Sequence, residues 1–187
     1  MAMQLQHKLF TVDDLDQMLE SGVLTEDDNV ELLNGELVTM SPVGSRHVAC
    51  VNRLNQSLSR IVGKEAIVSV QNPIRIRPNS QPEPDIAILR PRDDFYADAL
   101  PESTDVLLLI EVSDSSLDYD KEIKLGIYGR GGVPEVWIIN LQDEQVDSYR
   151  GPFNGGYRLR ERFLLGENIK ADLLPKLEVN ISQVFGK

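Results

Sequence analysis

Glu111 lies inside one of the most apolar stretches of the chain, preceded by Val106-Leu107-Leu108-Leu109-Ile110 and followed by Val112. A near-continuous apolar run from Asp105 to Ser113 predicts a strand buried in the middle of a sheet. A carboxylate in such a strand costs several kcal/mol unless something pairs with it. A divalent metal ion is a natural partner. The alternative is a glutamate at the frayed end of the strand, in solvent or on a lysine.

The elements around this strand follow from periodicity and punctuation. Thr11, with Asp14 three residues on and Gly22 as a stop, predicts a short helix over Val12–Ser21. Val30–Met40 reads as a hairpin about Asn34-Gly35, a type I′ signal. Its register sets Glu31 opposite Val38 and on one face with Leu33 and Met40. Ser45 is the expected cap of a longer helix ending at Gly63, with His47, Cys50, Val51, Leu54, Leu58, Ile61 and Val62 as its apolar stripe. Three strands are expected next, over Glu65–Val70, Pro73–Arg77 and Asp85–Arg90. Pro82, Pro84 and Pro91 keep helix out of the last one. After the Glu111 strand come a helix over Leu117–Arg130, stopped by Gly131-Gly132, and an apolar strand over Val133–Asn140. An edge hairpin over Gln145–Phe163 turns at Asn154-Gly155-Gly156, and a last helical turn is expected over Asn180–Phe185. The expected fold class is α/β (α+β), a mixed central sheet flanked by helices. It is read as one domain over 1–187, with an N-terminal helix and hairpin (11–40) and a C-terminal edge hairpin and tail (145–187).

Charge and cysteine usage narrow the function classes. The chain has 187 residues and a net charge of −11, which argues against a protein that coats nucleic acid. An enzyme with a local basic patch beside an acidic pocket stays compatible with that charge. No stretch approaches the roughly 20 apolar residues that span a bilayer, so no membrane association is expected. Met1–Phe10 lacks the pattern of a secretory leader. The single cysteine, Cys50, cannot form an internal disulfide, which makes the cytoplasm the default location. Cys50 itself reads as a buried structural thiol.

Four further positions carry candidate chemistry. Asp85 opens its strand directly after Pro82-Glu83-Pro84, which stiffens the approach; alone it also fits a turn residue. Two neighbouring strands can bring Asp85 and Glu111 to one point, an oxygen donor pair that suits a hard cation such as Mg²⁺ (or Mn²⁺). Asp120, Lys124 and Tyr128 are spaced by four and share one helical face. Lys124 can reach back over the strand ends to stabilise an attacking hydroxide or a pentavalent phosphate, or it can form an ordinary pair with Asp120. His47 starts the apolar face of its helix and points either to the site or into the core. Arg46, Arg53 and Arg60 recur every seven residues, with Lys64 four beyond, as a basic stripe opposite the apolar one. The stripe is either a nucleic-acid contact or a solvated face.

These residues together resemble a family. Pro84-Asp85, Glu111-Val112-Ser113, and Ser115-Ser116 with Asp120, Lys124 and Tyr128 match the pattern of the Uma-two family of restriction endonuclease-like proteins, within the PD-(D/E)XK nuclease superfamily. Glu31-Leu32-Leu33-Asn34-Gly35-Glu36, Ser41-Pro42 with His47, and Gly132-Val133-Pro134-Glu135-Val136-Trp137 match it as well. The resemblance runs from about Glu31 to Asn140. It implies a restriction-endonuclease-like fold, Mg²⁺ dependence, DNA as substrate and a homodimer. It also implies that Glu31, at the family's first acidic position, completes a metal shell with Asp85 and Glu111; a solvated hairpin glutamate is the other reading. The superfamily's lysine position is occupied by Ser113, so the resemblance implies a lysine migrated to the following helix. Lys124 is the first candidate and Lys121 the second.

Three functions remain in view. The first is metal-dependent hydrolysis of DNA phosphodiester bonds, with Asp85, Glu111 and Lys124 as its catalytic residues. The second is an inactive nuclease-fold module that binds nucleic acid or protein. The third is a metal-dependent hydrolase of another phosphoester.

Overall fold

The computed structural model describes residues 7–187. Met1–Gln6, and the part of the leader expectation that falls on them, lie outside the described residues. Helix α1 (Val12–Glu20) starts from Thr11 by a reciprocal capping box: Asp14 N donates to Thr11 Oγ1 at 3.1 Å, and Thr11 N donates to the Asp14 carboxylate at 2.8 Å. Strands β1 (Val30–Leu33) and β2 (Glu36–Thr39) follow as a hairpin that pairs Glu31 with Val38. Asn34 and Gly35 have φ of 52° and 86°, the two positive values a type I′ turn requires.

Helix α2 (Ser45–Val62) packs Cys50, Val51, Leu54, Leu58 and Val62 on the central sheet. Its N-cap is Gly44; Ser45 is the first helical residue, and no side chain caps the end. The expected strand over Pro73–Arg77 does not form. Arg75 and Ile76 make only isolated bridges, and the chain doubles back so that Ile76 N donates to Ser80 O at 2.8 Å. Pro73 and Pro78 remove donors on both sides of that short stretch, so no continuous ladder can run through it. Two strands of the central sheet therefore precede the Glu111 strand: β3 (Ile67–Val70) and β4 (Ile86–Leu89).

Strand β5 (Val106–Ser113) is buried along its full length, as its apolar run predicts. It lies third in a six-stranded sheet ordered β3-β4-β5-β6-β7-β8, completed by β6 (Glu135–Asn140), β7 (Gln145–Phe153) and β8 (Gly156–Phe163). Only β5 and β6 are parallel; the other pairs are antiparallel. A parallel pair needs a crossover, and the helical segment between β5 and β6 supplies it. The sequence pattern predicts one regular helix there. The segment instead comprises α3 (Leu117–Tyr119), a π-helical turn over Asp120–Lys124, and α4 (Leu125–Arg130), which stops at Gly131.

Two cores line the sheet. On one face, Leu108, Ile110, Val112 and Trp137 meet α2, a two-stranded piece formed by β9 (Asn168–Lys170) and β10 (Glu178–Asn180), and α5 (Ile181–Phe185). On the other, Leu109, Val136 and Ile138 meet Ile127, Tyr128 and Tyr149. No helix among the described residues is long and apolar enough to cross a membrane.

Candidate active site

The acidic site lies where β5 ends. Asp85 immediately precedes β4, and its carboxylate bridges to β5: Val112 N donates to Oδ2 at 2.8 Å. His47 Nε2 lies 2.9 Å from the other oxygen, Oδ1. That bond is the main reason the His47 pKa is raised; burial works against it. The first turn of α2 therefore aims His47 at the site rather than into the apolar core. His47 Nδ1 is buried without a hydrogen-bond partner, as is the Tyr119 hydroxyl, and both residues line the same cleft.

Glu111 is only 3% exposed, so it is not a frayed-end carboxylate in solvent, although it does meet a lysine. Tyr128 donates its hydroxyl to Glu111 Oε1, and Lys124 Nζ stands 3.5 Å from the same oxygen. Burial dominates even so, and the Glu111 pKa is pushed up to about 8. Glu31 arrives from the β1–β2 hairpin, which docks on the 78–82 segment through Gln81 N to Leu32 O at 2.7 Å and Gly35 N to Asn79 O at 2.7 Å. Glu31 Oε1 accepts Glu83 N at 2.7 Å and lies 2.9 Å from Lys124 Nζ. Glu31 is therefore a buried member of the cluster and not a solvated hairpin residue.

Lys124 is the hub of this arrangement. Burial alone would depress its pKa; Glu111 and Glu31 beside it more than reverse that, and the net shift is upward. The π turn places it there. Asp120, Lys124 and Tyr128 all point inward, and all three are buried. Asp120 Oδ2 accepts the hydroxyls of Ser113 at 2.7 Å and Ser116 at 2.8 Å, which explains what Ser113 does at the superfamily's lysine position. Burial raises the Asp120 pKa against the pull of those hydroxyls and of Lys124.

The other cationic candidates are engaged elsewhere. Lys121 turns away to Asp147, with Nζ 3.2 Å from Oδ2, and does not join the site. Arg46 donates to Leu141 O at 2.6 Å and Arg53 to Val184 O at 3.0 Å, so these two tie α2 to the end of β6 and to α5. Arg60 and Lys64 are exposed. The stripe flanks the apolar face instead of opposing it: at 3.6 residues per turn the three arginines fall roughly 120° from the centre of that face.

Sequence reasoning missed Glu83 and Tyr119 as parts of the site, and named Ser113 and Ser116 only as positions of the family pattern without a role. Glu83, clamped between Pro82 and Pro84, is the one with a visible signal. Burial and the nearby Glu31 both raise its pKa, an acid held close to other acids. The cleft that these residues line measures about 1010 Å³, at the upper end for a ligand site. Its oxygen-rich donor set, with an over-buried Glu111 carboxylate, fits a hard divalent cation by chemistry. Among the described residues, no three His, Cys, Asp or Glu side chains converge as a metal-binding group. The Lys124 ammonium occupies the space between Glu31 and Glu111 in this arrangement.

Comparison with known proteins gives the family and the fold. A model of the Uma2 family, described as "Putative restriction endonuclease", matches residues 12–182. The fold is similar to the crystal structure of a putative nuclease from Anabaena variabilis ATCC 29413, at 16% identity over 94% of this chain and 97% of that one, with a TM-score of 0.71. At that identity the likeness speaks for the fold. A search of curated proteins finds no match.

Proposed function

This chain belongs to the Uma2 family of restriction endonuclease-like proteins, and on that premise we propose that it hydrolyses phosphodiester bonds of DNA with a divalent cation held at Asp85 and Glu111. The observation that carries the proposal is Glu111: a fully buried carboxylate whose pKa stays near 8 although Lys124 stands 3.5 Å away. Such a group favours a second cation. Asp85 and Glu111 would hold Mg²⁺ or Mn²⁺, with Glu31 joining them if Lys124 shifts off it. When bound, the ion supplies Lewis acidity toward a phosphate oxygen and a more acidic water.

The protein's own groups contribute the rest. Lys124 keeps its proton, so it acts as a fixed positive charge and not as a base. In the transition state, negative charge grows on the phosphate and on the attacking oxygen, and a preorganised ammonium in a dry pocket stabilises that charge. Tyr128 and Val112 N hold the Glu111 and Asp85 carboxylates in place. His47, held toward its protonated form by Asp85, is the candidate to give a proton to the departing oxygen.

A second reading has one observation behind it: the acids do not converge, and Lys124 fills the gap between two of them. That arrangement also suits a nuclease fold that binds nucleic acid without cutting it. Incubation of supercoiled plasmid with the wild type and Glu111→Gln, in Mg²⁺ or Mn²⁺ and in EDTA, separates the two. Metal-dependent nicking lost in Glu111→Gln supports the nuclease. Binding without nicking in any metal supports the inactive module. A homodimer belongs to the same proposal, since two copies are needed to cut both strands together, and sedimentation of the free and DNA-bound protein tests it.

A further inference from the structure

A cationic row in line with this site lies on β8; on α2, Arg46 is held to Leu141 O but also lies 3.9 Å from Asp114, which lines the cleft. Arg160 and Arg162 lie on one side of the strand, with Arg158 two residues before them. All three sit on the outermost strand of the sheet, and the side chains of Arg160 and Arg162 are 50% and 46% exposed. Arg160 and Arg162 both reach the buried Asp147, at 2.9 Å each, and Lys121 joins them from the π turn at 3.2 Å. One carboxylate therefore contacts three cations, two of them with half-exposed guanidiniums. Arg158 forms no ion pair among the described residues; its guanidinium lies over the Phe153 ring at 4.2 Å, and Arg160 lies near the Tyr149 ring at 5.7 Å.

Strand register links this row to the acids. Glu111 pairs with Ile138, Ile138 with Asp147, and Asp147 with Arg162, so all four occupy one transverse row and one face of the sheet. Three inter-strand steps of about 4.8 Å put Arg162 roughly 14 Å from Glu111 along the sheet. The Lys121–Asp147 contact spans the interval from the helix side. In a chain of net charge −11, an ordered cationic row in line with an acidic site suits an anionic occupant with several regularly spaced charges.

We propose that Arg158, Arg160 and Arg162 of β8, with Lys121, form the track for the sugar-phosphate backbone of the nucleic acid whose phosphate enters the Glu111 site. This rests on the nuclease-fold reading above and names the surface that holds the substrate. Asp147 acts as a positioning residue: it preorders two guanidiniums so that less freedom is lost on binding.

The test is the salt dependence of affinity for a short labelled duplex DNA, in EDTA so that nothing is cut. Two variants are compared with the wild type: Arg158→Gln, and Arg160→Gln/Arg162→Gln/Asp147→Asn, which removes the buried carboxylate together with its partners and so avoids stranding it. The slope of log affinity against log salt should fall by about one unit for the first variant and about two for the second. Arg60→Gln on α2 should leave it unchanged. An unchanged slope in both β8 variants overturns the proposal, as does a wild type that binds no duplex at low salt. A changed oligomeric state with an intact slope overturns it too, and makes β8 a contact between copies. Glu111→Gln distinguishes this from the chemistry. If wild type and Glu111→Gln share the full slope and neither cuts in Mg²⁺ or Mn²⁺, the track stands and the nuclease reading falls. If the wild type cuts while the β8 variants keep their slope, only the track falls.

Discussion

Lys124 Nζ stands 3.5 Å from Glu111 Oε1, a helix-borne cation beside a strand-borne carboxylate, both nearly excluded from water. Glu31, 2.9 Å from the same ammonium, shares in holding the buried Lys124 charge, while burial pushes the Glu111 carboxyl up to about 8. The pair also makes Lys124 useful at a phosphate, since its ammonium is already desolvated and fixed. Lys124→Ala should lower any metal-dependent cleavage by about 10²–10³-fold, the scale for one electrostatic stabiliser. Lys121→Ala should cut at close to the wild-type rate, because Lys121 is turned to Asp147. Single-turnover cleavage with saturating enzyme measures both. If Lys121→Ala is the dead variant and Lys124→Ala is active, the assignment of Lys124 is wrong.

Metal should stabilise the protein through Glu111, and more so at higher pH. A cation binds the ionised carboxylate, so below a pKa of about 8 it must displace a proton. The rise in Tm caused by Mg²⁺ or Mn²⁺ should therefore grow from pH 6 to pH 8 and level off above it. Glu111→Gln should abolish the rise at every pH. Thermal melts across that range check it; a pH-independent rise would place the ion elsewhere.

Without metal the same residue has the opposite sign. Its folded pKa lies above the ordinary glutamate value of 4.5, so the folded state holds a proton that the unfolded chain has released. Stability from this group is full below 4.5 and declines as pH rises toward about 8. His47 also declines with rising pH: its folded pKa is raised above 6.5, so its contribution is complete below 6.5 and is lost as pH climbs through the folded value. Urea unfolding in EDTA should show wild-type stability falling from pH 5 to pH 8, with a shallower fall in Glu111→Gln and in His47→Gln. A flat profile for the wild type would remove both effects.

Gly129 is predicted to tolerate no side chain. A Cβ there would lie 2.7 Å from Gly156 O and 2.9 Å from Gly156 N, and backbone cannot rotate out of the way. Gly129→Ala should cost about 1–3 kcal/mol by forcing α4 off the β7–β8 turn. Gly126→Ala, one turn earlier, meets the end of Arg130 at 3.4 Å and Gly155 O at an ordinary 3.8 Å, and should be near neutral. Chemical denaturation of the two variants gives the comparison.

Much of this protein is legible in its amino-acid order alone. The apolar run around Glu111 defines a central strand, because only a two-sided sheet interior asks for that pattern. Asn34-Gly35 defines the hairpin, because few residues accept positive φ twice in a row. The four-residue spacing of Asp120, Lys124 and Tyr128 puts them on one face, and the π turn within that segment leaves the face intact. The features that sequence misreads are local exceptions or depend on distant partners. Pro73–Arg77 has strand composition, but its donors and acceptors go to Ser80, Pro82 and Pro101 instead of a ladder. The arginine stripe of α2 has the spacing of a contact surface. Only the packed structure shows that Arg46 and Arg53 donate to carbonyls of Leu141 and Val184, residues that are neighbours in space but remote in sequence.

The sequence by itself therefore determined which strand is buried on both faces, which carboxylate is out of place in it, and which helix follows it, since these depend on short-range period and composition. Tertiary structure alone decided the partners: Lys124 on Glu31 and Glu111, His47 on Asp85, Lys121 on Asp147. Each of those contacts is set by how the hairpin, α2 and the crossover helices dock on one sheet, and docking is fixed by side-chain packing summed over the whole core rather than by any local pattern.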